Sequence, residues 1–147
     1  MDRIAQAVEQ DTLYRGIITA QRTEPQPTAA DAISAAARSV AETLKLAAIV
    51  CYTDSGSTGL RVARERPSVP IVTLTTSANT GRRLALAWGL HCVLVPTASS
   101  LDDMVNLACT VAHREGFARA GERVLITAGV PLGTPGTTNL LRIAYVN

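Results

Sequence analysis

Short apolar runs recur along this chain, most of them followed by a stretch with helical spacing. That alternation constrains the fold more than any other feature. The runs are Ala47 to Tyr52, Pro70 to Thr75, His91 to Val95, Arg123 to Thr127 and Leu140 to Val146. A strand covered on both faces reads as such a continuous apolar run rather than as an alternation. Between the first four lie helical patterns of roughly 10–15 residues, the length of a crossover connection. Leu60 to Arg66 is one, stopped at Pro67; Asn79 is a candidate N-cap for a second through Trp88, closed by Gly89; Ser100 caps a third over Leu101 to Glu115, ended by Gly116. Right-handed crossovers of this kind build a mostly parallel sheet with helices on both faces. The fifth run follows the fourth after a loop of about ten residues without a helix, too short for a parallel return. The expected fold is therefore a three-layer α/β/α domain with a mostly parallel five-stranded sheet, the last strand antiparallel at the edge.

Ahead of the first strand, Thr28 and Asp31 resemble a capping box that opens an alanine-rich helix through about Leu46. Its apolar face is Ile33, Ala36, Ala37, Val40, Ala41 and Leu44. Ile4, Ala5 and Val8 indicate a short helix nearer the start. Asp11 to Thr28, with Pro25 and Pro27, reads as an extended connector, because each proline fixes φ and biases its predecessor away from helix.

Charge and composition narrow the classes of function. Fourteen Lys and Arg against twelve Asp and Glu leave +2 over 147 residues, with no basic run, which is no footprint for nucleic acid. The longest apolar stretch, Leu46 to Tyr52, is far short of the roughly 20 residues that span a bilayer. Met1-Asp2-Arg3 leads into a charged amphipathic segment unlike a signal peptide. Three cysteines cannot all pair, and a reducing cytoplasm is the expected setting. No membrane and no nucleic-acid partner is expected.

Chemistry in an open α/β sheet gathers beyond the carboxyl ends of the strands. The loop Thr53-Asp54-Ser55-Gly56-Ser57-Thr58 follows the first strand there. Gly56 permits a close turn, while Thr53, Ser55, Ser57 and Thr58 offer hydroxyls beside the N–H groups of a helix start, where the dipole favours an anion. Two readings fit these residues: a phosphate site, or plain helix capping. Asp54 opposes the first unless its side chain turns away. A second loop, Thr127 to Asn139, is rich in Gly and Pro and long enough to fold over a ligand or to serve as a turn into the edge strand. Cys51, Cys92 and Cys109 have no metal-ligand spacing, and His91 and His113 have no nucleophile near them in sequence. Asp102 and Asp103 suit a helix first turn; Arg61, Arg64, Arg66, Arg82 and Arg83 read as helix-surface charges, and Trp88 as packing.

Taken in order, the Thr28-to-Leu46 helix, Ala48 to Thr58, Arg61 to Pro67, Arg82 to Gly89 and Thr127 to Asn139 closely resemble the C-terminal α/β domain of pyruvate kinase. The resemblance covers about Thr28 to Val146. It divides the chain into 1–27, similar to the last barrel helix and linker of that enzyme, and 28–147, the α/β domain. Pyruvate kinase moves a phosphoryl group from phosphoenolpyruvate to ADP in glycolysis, using Mg²⁺ and usually K⁺. Its catalytic motifs belong to the barrel and are missing from this sequence, so the resemblance implies no catalytic residue, metal or cofactor in this chain.

What it does imply is a regulatory and assembly module: a homo-oligomer contact, and an effector site for a sugar phosphate or nucleotide monophosphate. Thr53, Ser55, Gly56, Ser57 and Thr58 match the effector phosphate loop. Gly136, Thr137, Thr138 and Asn139 match the loop that covers it. No Lys or Arg lies between Leu101 and Val111, where family members that take a bisphosphate often carry one, which favours a single phosphate. Alternatives are a purely structural assembly domain, with Leu140 to Val146 as its contact, and a small phosphosugar-acting enzyme with a cysteine or serine nucleophile.

Overall fold

In the computed structural model, which describes residues 1–147, five strands form one sheet. They are β1 (Ala48–Tyr52), β2 (Ile71–Thr75), β3 (Leu90–Leu94), β4 (Arg123–Ala128) and β5 (Leu140–Tyr145), in the spatial order β3-β2-β1-β4-β5. All neighbours are parallel except β4 and β5, so the last strand is the antiparallel edge that the short connection requires. The helices are α1 (Asp2–Gln10), α2 (Thr12–Ala20), α3 (Ala29–Thr43), α4 (Ser57–Arg64), α5 (Ala78–Leu84) and α6 (Leu101–Arg114). None is long and apolar enough to cross a membrane.

The three central runs become buried strands for the reason their composition suggests, while β3 and β5, at the edges, are only partly covered. Every residue of β1 and β2 is buried. Alternate side chains then fall into two cores. Ala48, Val50 and Tyr52 join Val72, Leu74, Val124 and Ile126 under α6, whose Met104, Ala108 and Val111 fill that side. Ile49 and Cys51 join Ile71 and Leu125 under α3 and α4, through Ala37, Ala41, Val62 and Ala63. The alanine-rich face of α3 lets it lie close on the sheet.

Helix ends follow available hydroxyls. Thr28 caps α3 by accepting from the Asp31 N–H at 3.2 Å, and Ser100 caps α6 from Asp103 at 3.1 Å. Asp31 does not return the bond to Thr28 as a capping box would; its carboxylate accepts from the Gln26 N–H instead and takes Arg64 at 2.8 Å and Arg61 at 3.4 Å. It thereby fastens α3 to α4. The N-cap of α5 is Ser77, two residues before Asn79, accepting from the Thr80 N–H, and the helix ends at Leu84, leaving Trp88 outside any helix.

The extended connector expected from Asp11 onward is a correction: Thr12–Ala20 is helix, and only the residues after it are irregular. Asp11 caps that helix by accepting from Leu13 N–H at 2.7 Å, and Leu13 with Ile17 and Tyr14 with Ile18 recur at i, i+4. Gly16, a poor helix former, hid the pattern. α1 and α2 bury no residue. They attach through polar contacts, Arg22 to Glu65 at 2.9 Å and Trp88 Nε1 to Glu9 at 3.2 Å, and leave Ile4, Val8, Leu13 and Ile17 exposed.

Two predictions follow from this packing. Ile126→Ala empties a fully buried site and is expected to cost about 2–5 kcal/mol in urea unfolding. The second concerns acid. The Gln26 N–H, helped by Arg64 and Arg61 against the effect of desolvation, holds the Asp31 carboxyl below its usual 3.8. Folding therefore favours the ionised form, and this contribution is complete above the usual value and lost as pH falls through the lowered one. Asp31→Asn should flatten the fall of the thermal midpoint with pH in that acid range, leaving neutral pH as the place where the two proteins differ most.

Candidate functional site

The chain passes from β1 outward through β2 to β3, then α6 carries it back so that β4 pairs with the other side of β1. The order reverses between β1 and β4, whose last residues, Tyr52 and Ala128, are register partners. In a doubly wound sheet the crevice outside such a switch point is where ligands sit. Both loops singled out in the sequence leave from it.

The first is a tightly bonded bend. Thr53 Oγ1 accepts from the Gly56 N–H at 3.0 Å, and Ser55 Oγ meets both Ser57 Oγ at 3.0 Å and the Ser57 N–H at 3.3 Å. Gly56 is left-handed, with φ +87°, and a Cβ there would come within 2.9 Å of Leu84, so two separate constraints select glycine. The helix starts at Ser57, earlier than the Leu60 read from sequence, which places Ser57, Thr58 and Gly59 in the first turn of α4. A Cβ on Gly59 would press to 3.0 Å from Thr73 Oγ1, so the helix lies close upon β2 there. First-turn N–H groups have no partner inside their own helix, and that of Ser57 is taken by Ser55 Oγ. Asp54 Oδ1 accepts from Thr76 Oγ1 at 2.7 Å, drawing that oxygen toward the β2–α5 loop. Arg83 donates to the Ser55 carbonyl at the rim.

The second loop is closed at its neck. Asn139 accepts from the Val130 N–H and donates to the Val130 carbonyl, each at 2.8 Å. Gly129 lies so close beneath that a Cβ would stand 1.6 Å from the Thr137 carbonyl oxygen. Thr58 Oγ1 and Thr138 Oγ1, both buried, are 2.7 Å apart and tie this loop to α4.

Between the loops is a cavity of about 30 Å³. Thr53, Asp54, Ser55, Ser57 and Thr58 line one side, and Gly129 with residues 132–137 the other; no Lys, Arg, His or Cys does. Of the expected residues, Gly136 and Thr137 reach the cavity, Gly56 shapes the bend without lining it, and Thr138 and Asn139 hold the loop rather than face the space. Leu132, Gly133, Thr134 and Pro135 line it unforeseen, as does Tyr52, whose hydroxyl accepts from the Ala98 N–H at 3.0 Å. Only the length of the second loop pointed to them.

No cysteine or histidine lines this cavity. Cys51 is wholly buried, and desolvation pushes its thiol far above the usual range. His91 pairs with Glu115 at 3.0 Å, and His113 Nδ1 lies 3.1 Å from the Ala118 carbonyl oxygen. What remains is a small cavity walled by hydroxyls, at the start of a helix and under a fastened loop.

The fold and crevice define a doubly wound α/β domain with a hydroxyl-lined cavity at its switch point. The family model described as pyruvate kinase, alpha/beta domain, matches residues 31–144, and the chain belongs to that family. It is 53% identical over 146 residues to a pyruvate kinase of Methylorubrum extorquens, covering 99% of this chain and 30% of that protein. It is 39% identical over 147 residues to a pyruvate kinase of Geobacillus stearothermophilus, covering all of this chain and 25% of that one. A pyruvate kinase of Agrobacterium vitis is 39% identical over 145 residues, covering 97% of this chain and 30% of the relative. The chain spans about a quarter to a third of the length of these relatives.

Gly129→Ala tests the neck of the loop. A methyl group has no room against the Thr137 carbonyl, so the variant should lose about 1–3 kcal/mol and open the loop to thermolysin between 130 and 138. An unchanged digestion pattern would contradict the close approach.

Proposed function

We infer that this chain is the regulatory and assembly part of a pyruvate kinase, and that it binds a phosphorylated small molecule between loop 53–58 and loop 129–139. The supporting observation is the switch-point crevice itself: the first turn of α4, the hydroxyl side chains of Thr53, Ser55, Ser57 and Thr58, and a covering loop meet around one small space. A helix start carries roughly half a positive charge and unpartnered N–H donors, which suit a phosphoryl group. With no Lys or Arg on its walls and Asp54 among them, the cavity suits one phosphate rather than two. Its size admits a compact group, with the sugar or nucleoside left outside against the second loop.

Phosphoryl transfer from phosphoenolpyruvate to ADP, with its Mg²⁺ and K⁺, then belongs to a barrel outside this chain, and the assembled enzyme works in the cytoplasm. The effector acts by favouring one quaternary state over another, as linkage demands. Assembly runs through β5, an edge strand whose Ile143 and Tyr145 are exposed and whose free backbone groups can pair with a second copy. Assembly alone, with the cavity unused, is the second reading, and Asp54 in the wall favours it.

Calorimetric titration with ribose 5-phosphate, fructose 1,6-bisphosphate and AMP decides between them. Heat from one of these, lost in Ser57→Asp because a new carboxylate repels phosphate, supports effector binding. No binding of any at millimolar concentration leaves only assembly, and a strict monomer in sedimentation removes that too.

A further inference from the structure

Four guanidinium groups converge on a crevice of about 200 Å³ at the far end of α4 from the loop cavity. Arg22 comes from just past α2, Arg38 from α3, and Arg64 and Arg66 from the end of α4; Glu65 is the one carboxylate among them. With the carboxylates these arginines already pair with, Glu65, Glu42 and Asp31, four cations meet three anions, which leaves one positive charge in excess around the crevice. The eight residues of α4 put this crevice about 12 Å from the helix start by the rise per residue, so the two spaces are separate.

Holding α2 in place does not require this many arginines. That attachment is made by Arg22 Nε to Glu65 at 2.9 Å and by Arg15 Nη1 to the Arg66 carbonyl at 3.3 Å. Arg38 gives Nε to Glu42 and Nη1 to the Glu65 carbonyl at 3.0 Å, Arg64 gives Nη2 to Asp31, and Arg66 gives Nη1 to the Ala63 carbonyl while lying 4.2 Å over Trp88. Both Nη groups of Arg22, Nη2 of Arg38, Nη1 of Arg64 and Nη2 of Arg66 have no acceptor in the protein. The Arg38 side chain is 11% exposed and that of Glu65 3%, so the floor is fixed rather than mobile. An oxyanion in this space would take the unused N–H donors in pairs, beside the one guanidinium, Arg66, that no carboxylate pairs.

We propose that this arginine crevice is a second binding site, for a compact polyanion bearing phosphate or carboxylate groups. The volume fits a pyrophosphate-sized or tricarboxylate-sized molecule and is small for one carrying a nucleobase. Guanidinium forks bind both kinds of oxyanion, so the probes separate the sources. The site is independent of the effector reading of the loop cavity.

The test is calorimetry on the full chain carrying Ser57→Asp, which closes the loop cavity to phosphate, at low ionic strength, with pyrophosphate and citrate as separate probes. One site per chain is expected for at least one probe, weakened roughly tenfold or more by adding Arg22→Ala and partly restored by Arg22→Lys, as loss and return of a charge-assisted contact require. Arg38→Gln should weaken it likewise. Should that variant fail to fold by circular dichroism, Arg64→Ala still decides, because that side chain is 54% exposed and Asp31 keeps Arg61 and the Gln26 N–H without it. Absence of binding by both probes, or binding unchanged by Arg22→Ala, overturns the site.

Discussion

β1 has no face left for water, and the remainder of the molecule is arranged around that fact. A strand buried on both sides demands helices above and below, and a partner on each edge. α6 meets the first demand on one side, α3 and α4 on the other; β2 and β4 meet the second. Because β2 and β4 arrive from opposite directions along the chain, the end of β1 is also where the winding reverses. Burial of one five-residue strand thus fixes both the layers and the location of the crevice.

Polar groups at that crevice are organised mainly by one another. Hydroxyl to backbone, hydroxyl to hydroxyl and amide to backbone bonds hold Thr53, Ser55, Thr58, Thr138 and Asn139. Such networks fix a shape, since each group left unpaired in a buried place carries a penalty of about 1–3 kcal/mol. The same economy runs along α4: Asp31 grips it from α3, and its last residues hold α2 through Glu65. A single short helix therefore touches the loop cavity at one end and the arginine crevice at the other.

Much of this was legible in the residues. The five apolar runs became the five strands, with boundaries shifted by no more than one residue at each end; continuous burial accounts for β1, β2 and β4, whereas β3 and β5 are half-exposed edges. The edge position of β5 followed from loop length alone. Side-chain destinations were less legible. Nothing in the local sequence tells that Thr58 would face Thr138, eighty positions away, or that Asn139 would clasp its own loop. α2 escaped because Gly16 and the prolines beyond it outweighed a cap at Asp11 whose value depends on geometry. The α5 start was misplaced because Ser77 and Asn79 are both competent caps, and register with the sheet chose between them.

One consequence lies in what the cavity walls omit. Histidine and cysteine, the side chains that change charge near neutrality, are both missing from them. A cavity with neither on its walls would keep the same polarity across the range in which a phosphate monoester gains its second charge, at about pH 6. Any acid sensitivity of such a complex would then be a property of the guest, and the protein would read the guest's ionisation without adding its own.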